Sequence, residues 1–375
     1  MLTAATSALF VGSEGALAFD FVPRYVGAQA FWSGESPYRP AVTTRIQEQM
    51  FGSALPPGFD EQRFAHPAYT AVILAPLLLL DAPRAISLWM ALQLLCLLMT
   101  PIVWLYVLDL RPKPLVFAAL LVGLVFVFRY PINTYLVGQF TGSMVLLISL
   151  AMGLLRQKRD TLAGVALAFS TVPPNIALPL AMLLLVGYGL RGRWRALAAF
   201  LGVLFILTAI SLARIGWWLP DFVDGVRAYT EYSFPVWALS LLPAPLAAAT
   251  LALVVGVPGF AIYTFRAHPT VEAELRLFAL AILCALLLIP QTGNYYLVLL
   301  IPVFMIGFYQ ARHSRLLTLL LGLVLVSPWL YLRTPGTEVL MLPLSAGVTY
   351  LMIVASQRFS PYTTASLQPE PSALR

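Results

Sequence analysis

The segment Phe19-Asp20-Phe21-Val22-Pro23-Arg24-Tyr25, with Gly34-Glu35-Ser36-Pro37-Tyr38 shortly after it, sits where an apolar N-terminal run gives way to a polar interval. That interval ends near His66-Pro67 and is the longest of its kind in the chain. A carboxylate at the mouth of a membrane segment is costly unless it lies at an interface or in a wet cavity. The reading of Asp20 therefore decides how the rest is organised.

Of 375 residues, 60% are hydrophobic and only 10% charged, with a mean hydropathy of +0.85. A soluble domain carries about 25% charged residues, so water is not the only solvent for this surface. Apolar runs of about 17–25 residues recur and do not alternate in polarity, which predicts an all-α, polytopic helical bundle and not a β-barrel. The net charge of +7 comes from short basic clusters between apolar runs, the pattern of cytoplasmic loops and not of a nucleic-acid groove. Cys96 and Cys284 lie inside apolar runs and read as small hydrophobes.

Met1 to Phe19 lacks a basic n-region and is interrupted by Ser13-Glu14, so it reads as a short first transmembrane helix and not a cleaved signal. Phe21, Tyr25, Ala28 and Trp32 then recur at helical spacing, and Thr43 to Phe51 forms a second amphipathic piece. The outer loop 20–66 is thus expected to carry two interfacial helices. Apolar segments follow at 67–80, 85–109, 114–129, 141–156, 160–172, 174–190, 196–215, 246–265, 275–290, 295–311, 316–333 and 338–356, all within one domain of residues 1–359. The tail 360–375, rich in Ser, Thr and Pro, is expected to be disordered.

Basic loops at Arg156–Arg159, Arg191–Arg195, Arg266–His268 and Arg312–Arg315 are assigned to the cytoplasm by the positive-inside rule. Trp217 to Leu242, Gln291 to Tyr296 and Arg333 to Glu338 then face outward with the C-terminus inside, and a first segment that starts in the cytoplasm puts Asp20 to His66 outside as well. Even parity requires that one element between 67 and 110 does not cross, giving about twelve crossings.

The sequence contains no phosphate-binding loop, dinucleotide fingerprint, nucleophile elbow or metal-ligand cluster, so no cofactor and no metal are expected. Polar residues gather on the outer side instead: Asp20, Arg24, His66, Tyr69, Asn133, Gly138, Gln139, Asn175, Asp221, Asp224, Asn294 and Tyr295. Asp20 stands between apolar neighbours, a setting that strengthens a carboxylate as a general base; its alternative is an N-cap. Arg24, one turn on, either binds a phosphate or pairs with Asp20. Gln139 either binds substrate or caps the helix that follows. Asp221-Phe222-Val223-Asp224 reads as an amphipathic stretch before a metal site.

Taken together, these positions resemble the bacterial integral-membrane glycosyltransferases of family 87, which have the GT-C fold. The matching features are Asp20-Phe21 with Tyr25, Gly34 and Pro37-Tyr38, then His66-Pro67 leading to Pro76-Leu77 and Leu88-Trp89. They continue through Gly138-Gln139, Ala163-Gly164, the Pro173-Pro174 turn before Arg191–Arg195, and Pro290 to Tyr296 running into Leu297–Pro302. The resemblance covers roughly residues 15–305. The pattern departs at Thr171-Val172, where the family usually has a lysine, at Thr141 for an asparagine, and at Asn294-Tyr295 for a histidine.

The resemblance implies transfer of a sugar, commonly mannose, from a polyprenyl-phosphate donor to a lipid or glycan acceptor outside the cytoplasmic membrane. Asp20 is implied as the base of one inverting displacement. Arg24, Tyr38, His66, Gln139, Asn175, Asn294 and Tyr295 are the candidate substrate-binding residues. A transporter or flippase for a lipid-linked substrate is the alternative from another class, and a lipid-binding homologue without activity is a third reading.

Overall fold

The computed structural model describes residues 18–56, 61–232, 243–268, 270–288, 294–311 and 314–329. The expected first helix up to residue 17, the segment 338–356 and the tail 360–375 lie outside them. The described residues are all-α.

Proline sets where many of the helices begin. It lacks the N–H that a first turn leaves unpaired, and its fixed φ suits that position. Helix α1 (Phe21–Ser33) and α2 (Pro40–Phe51) fill the first loop, and a short α3 (Thr70–Leu74) continues as a 3-10 turn (Ala75–Leu79). α4 (Ala82–Val107) starts at an Asp81 cap, whose side chain accepts from Arg84 N at 3.1 Å. α5 (Pro114–Val122) widens into a π turn (Gly123–Val127), and the chain bends by 57° before α6 (Arg129–Val137). Then come α7 (Thr141–Arg156), α8 (Asp160–Ser170), α9 (Pro174–Gly189), α10 (Trp194–Ile215) and α11 (Leu219–Tyr232). The last are α12 (Ala244–Ala267), α13 (Val271–Leu288), a 3-10 turn (Asn294–Leu299), α14 (Leu300–Ala311) and α15 (Arg315–Val326).

A helix needs about 20 residues to cross a bilayer core. Among the described residues α4 and α10 are long and apolar enough, and the bent α5–α6 pair makes a third candidate. Shorter apolar helices, Thr70–Leu79, Thr141–Arg156, Asp160–Ser170 and Pro174–Gly189 among them, fall below that length. α10 turns Leu201, Phe205 and Ile206 outward, Phe205 being 74% exposed. A face of that kind is solvated by lipid and not by water. The chain is a membrane protein.

α8 packs most extensively on α10, α7 on both α4 and α8, and α12 on α13. The α8–α10 approach depends on Gly164, where a Cβ would come within 2.1 Å of the Ala196 carbonyl oxygen. Small residues of this kind let membrane helices meet backbone to backbone.

The helices run between two ends of different chemistry. At one end Arg156 Nε lies 3.5 Å from Glu274 Oε2, and the Tyr188 hydroxyl donates to Glu274 Oε1 at 2.5 Å. There Arg193 Nε also donates to Asp160 Oδ2 at 3.2 Å, with its guanidinium 4.8 Å from the Tyr188 ring centroid. This network joins the C-termini of α7 and α9 to the N-termini of α8, α10 and α13. At the opposite ends, the Phe140 ring before α7 lies 5.3 Å from the Arg24 guanidinium, the Tyr69 hydroxyl donates to the Thr171 carbonyl after α8 at 2.9 Å, and Asn175 of α9 lines one cavity with Asp20 and Arg24.

Candidate active site

The site is assembled at the C-terminus of α6. The last carbonyls of a helix have no partner within it, and here two are taken by the chain that leads into α1. Ala18 N donates to Leu136 O and Asp20 N to Val137 O, each at 2.9 Å. Gly138 then turns the chain with φ +72°; a Cβ on it would lie 2.8 Å from Ala18 Cα. Only glycine satisfies both the left-handed backbone and that contact. The Gly138 carbonyl accepts from Trp89 Nε1 at 2.8 Å and from Arg24 Nη1 at 3.3 Å. Asp20 and Gln139, 119 residues apart in sequence, are thereby held side by side.

Gln139 bridges the two charged groups. Its Oε1 accepts from Arg24 Nη2 at 2.6 Å, and its Nε2 donates to Asp20 Oδ2. The arginine, which can only donate, fixes which way the amide points. Arg24 is 4% exposed. It also donates to the Asp20 carbonyl at 2.5 Å and, through Nε, to His66 Nε2 at 2.8 Å, and lies 5.3 Å from the Phe140 ring centroid. His66 accepts that bond only as neutral imidazole. Burial and the Arg24 charge both push its pKa well below the ordinary value, while a backbone hydrogen bond at Val172 acts the other way.

These groups line a cavity of about 390 Å³, within the range of small-ligand sites. Asp20, Arg24, His66, Gln139, Asn175 and Tyr295 all face it, so six of the eight candidate site residues come together. Asn175 sits at the start of α9, and its Oδ1 accepts from the Tyr296 hydroxyl at 3.3 Å. The Tyr295 carbonyl accepts from Thr134 Oγ1 at 3.2 Å. Tyr38 supports the wall: its hydroxyl donates to the His66 carbonyl at 2.6 Å, and its ring packs against Phe64, Trp218 and Phe222. Burial and neighbouring Tyr69 and Asp221 push the Tyr38 hydroxyl pKa far up, so it stays a neutral donor. The Asn294 side chain lies outside the described residues.

The cavity also takes in residues that were not among the candidate site residues: Gln62 and Arg63 before His66, Pro173 and Pro174 of the matching turn, Tyr296, and Phe222, Val223, Val226 and Arg227 of α11. Arg63 stands three places before His66, and Tyr296 next to Tyr295, so proximity to a chosen residue was the available signal. α11 is amphipathic, with Asp221 and Asp224 exposed and Asp224 Oδ1 3.5 Å from Arg227 Nη1. Among the described residues no three His, Cys, Asp or Glu side chains gather in a metal-holding group.

Fold and cavity together define an all-α membrane protein with a mixed polar and apolar site at one end of its helices. The chain belongs to glycosyltransferase family 87, whose model matches residues 64–290. That membership makes it a glycosyltransferase, an enzyme with a sugar donor and an acceptor. The matched stretch supplies His66, Gln139, Asn175 and Arg227, while Asp20, Arg24 and Tyr38 precede it and Tyr295 follows. No curated protein matches the chain.

Proposed function

We propose that the chain transfers a sugar, mannose or another hexose or pentose, from a polyprenyl-phosphate donor to a lipid or glycan acceptor. Asp20 is the general base. The acceptor hydroxyl gives its proton to the Asp20 carboxylate as its oxygen bonds to the sugar's anomeric carbon. The bond from that carbon to the phosphate oxygen breaks, with its electron pair leaving on the phosphate, and the anomeric configuration inverts. The leaving phosphate needs no protonation by the protein, so one base plus positioning suffices.

The observation that carries this reading is the hydrogen-bonded order His66–Arg24–Gln139–Asp20 along a ligand-sized cavity. A carboxylate whose neighbours are themselves fixed is pre-organised for proton transfer. The prolines, Phe222, Val223 and Val226 give the same cavity an apolar lining against which an isoprenoid chain can lie. The basic clusters lie at the far ends of α7, α8 and α9, which favours a cavity on the outer face of the bacterial cytoplasmic membrane, with about twelve crossings in all.

Asp20→Asn keeps the shape of the side chain and removes its basicity. It is expected to lower transfer from polyprenyl-phosphate mannose to a crude lipid acceptor pool by at least about 100-fold, with donor binding kept. Near-wild-type transfer by the purified variant in detergent would show that Asp20 is not the base. Uptake into sealed vesicles without a glycan product would instead favour a transporter.

A further inference from the structure

Among the described residues Arg24, Arg63 and Arg227 line the cavity with one carboxylate, Asp20, while Glu61 pairs with Arg63 and Asp224 with Arg227 beside it. Arg24 is held by protein acceptors on all three of its nitrogens. Arg63 is held differently. Its Nη2 pairs with Glu61, but its Nε is buried and has no acceptor among the described residues. A buried N–H left without an acceptor is costly, and an anionic oxygen is the strongest partner for it. Arg227 reaches the cavity from α11 beside Phe222, Val223 and Val226, with a largely exposed guanidinium. A cation next to an apolar strip matches a ligand that is charged at one point and greasy along its tail.

We propose that Arg63 and Arg227 form the anion-binding subsite of this cavity and hold the phosphate of the lipid-linked donor, with Arg24 reserved for positioning Asp20. The proposal rests on the transfer reading above. As the bond between the anomeric carbon and the phosphate oxygen breaks, the electron pair moves onto the phosphate, and the two guanidinium groups stabilise that charge.

The test is binding of undecaprenyl phosphate to the purified full chain in detergent, beside undecaprenol and inorganic phosphate, followed by donor KM. Arg63→Gln is expected to weaken undecaprenyl phosphate binding by about tenfold or more, as expected for a lost charge-assisted bond. Arg227→Gln, on an exposed helix face, should fold as wild type and weaken it by about threefold, and undecaprenol should bind equally to all variants. A double variant with wild-type affinity for undecaprenyl phosphate would overturn the subsite. Inorganic phosphate binding as tightly as the lipid would overturn the assignment to a lipid donor. If wild type binds undecaprenyl phosphate through these arginines but transfers no sugar, the transfer reading fails and the subsite stands. If it transfers sugar and the double variant keeps the donor KM, the subsite fails and the transfer reading stands.

Discussion

At the scale of single residues, the site depends on which groups are charged. Arg24 can donate to His66 Nε2 only while the imidazole is neutral, and burial beside Arg24 holds His66 neutral. The folded-state pKa is depressed below the ordinary imidazole value of 6.5, so below that value the unfolded chain binds the additional proton. Stability is therefore lost as pH falls through the range under about 6.5 and is retained above it. The thermal midpoint of the wild type should drop more between about pH 7 and about pH 5 than that of His66→Gln, which has no titrating group there. Equal slopes in the two proteins would show that His66 is not the coupled group. Arg24 itself was open in the sequence, between a phosphate ligand and a partner of Asp20. The structure gives it to the Asp20 main chain and, through Gln139, to the Asp20 side chain.

At the scale of elements, the α6 terminus carries the arrangement. The turn at Gly138 was legible as Gly-Gln before an apolar helix, but its two jobs were not. It ends α6 in a left-handed conformation and leaves the Ala18 backbone room where a Cβ would stand. Gly138→Ala would put a methyl 2.8 Å from Ala18 Cα, where a main chain and no flexible side-chain tip must move. With Asp20 in the proposed role of base, displacing it by about 1 Å is expected to cost on the order of 100-fold in rate. The variant should show that loss in kcat together with about 1–2 kcal/mol of destabilisation from the unfavourable φ. Wild-type kcat in Gly138→Ala would mean that this turn does not set the position of Asp20.

Over the whole molecule, the helices separate the end that carries the cavity from a basic end. A 16-residue helix such as α7 spans about 24 Å, enough to keep the Glu274–Arg156–Tyr188 cluster remote from Asp20. Glu274→Gln removes one partner of a largely buried pair, in which Glu274 is 12% exposed and Arg156 25%. It is expected to cost about 1–3 kcal/mol of stability and to leave donor KM within about twofold, as distant sites behave independently. A large rise in donor KM with unchanged stability would place the cluster in the site and not in the scaffold.

The sequence by itself determined that the chain is helical and lipid-solvated, because apolar runs and the prolines that open many helices are local properties. It also singled out Asp20, Arg24, His66, Gln139, Asn175 and Tyr295, since a polar residue among apolar ones is visible without a fold. Tertiary structure decided what those residues do to one another. Which acceptor takes the Arg24 N–H groups, why Tyr38 supports the wall, and how Arg63 and Arg227 reach the cavity of Asp20 all depend on contacts between distant segments. Such contacts leave no period in the sequence, because they are set by the docking of Ala18 and Asp20 onto the open carbonyls of α6 and by the packing that holds the bundle around them.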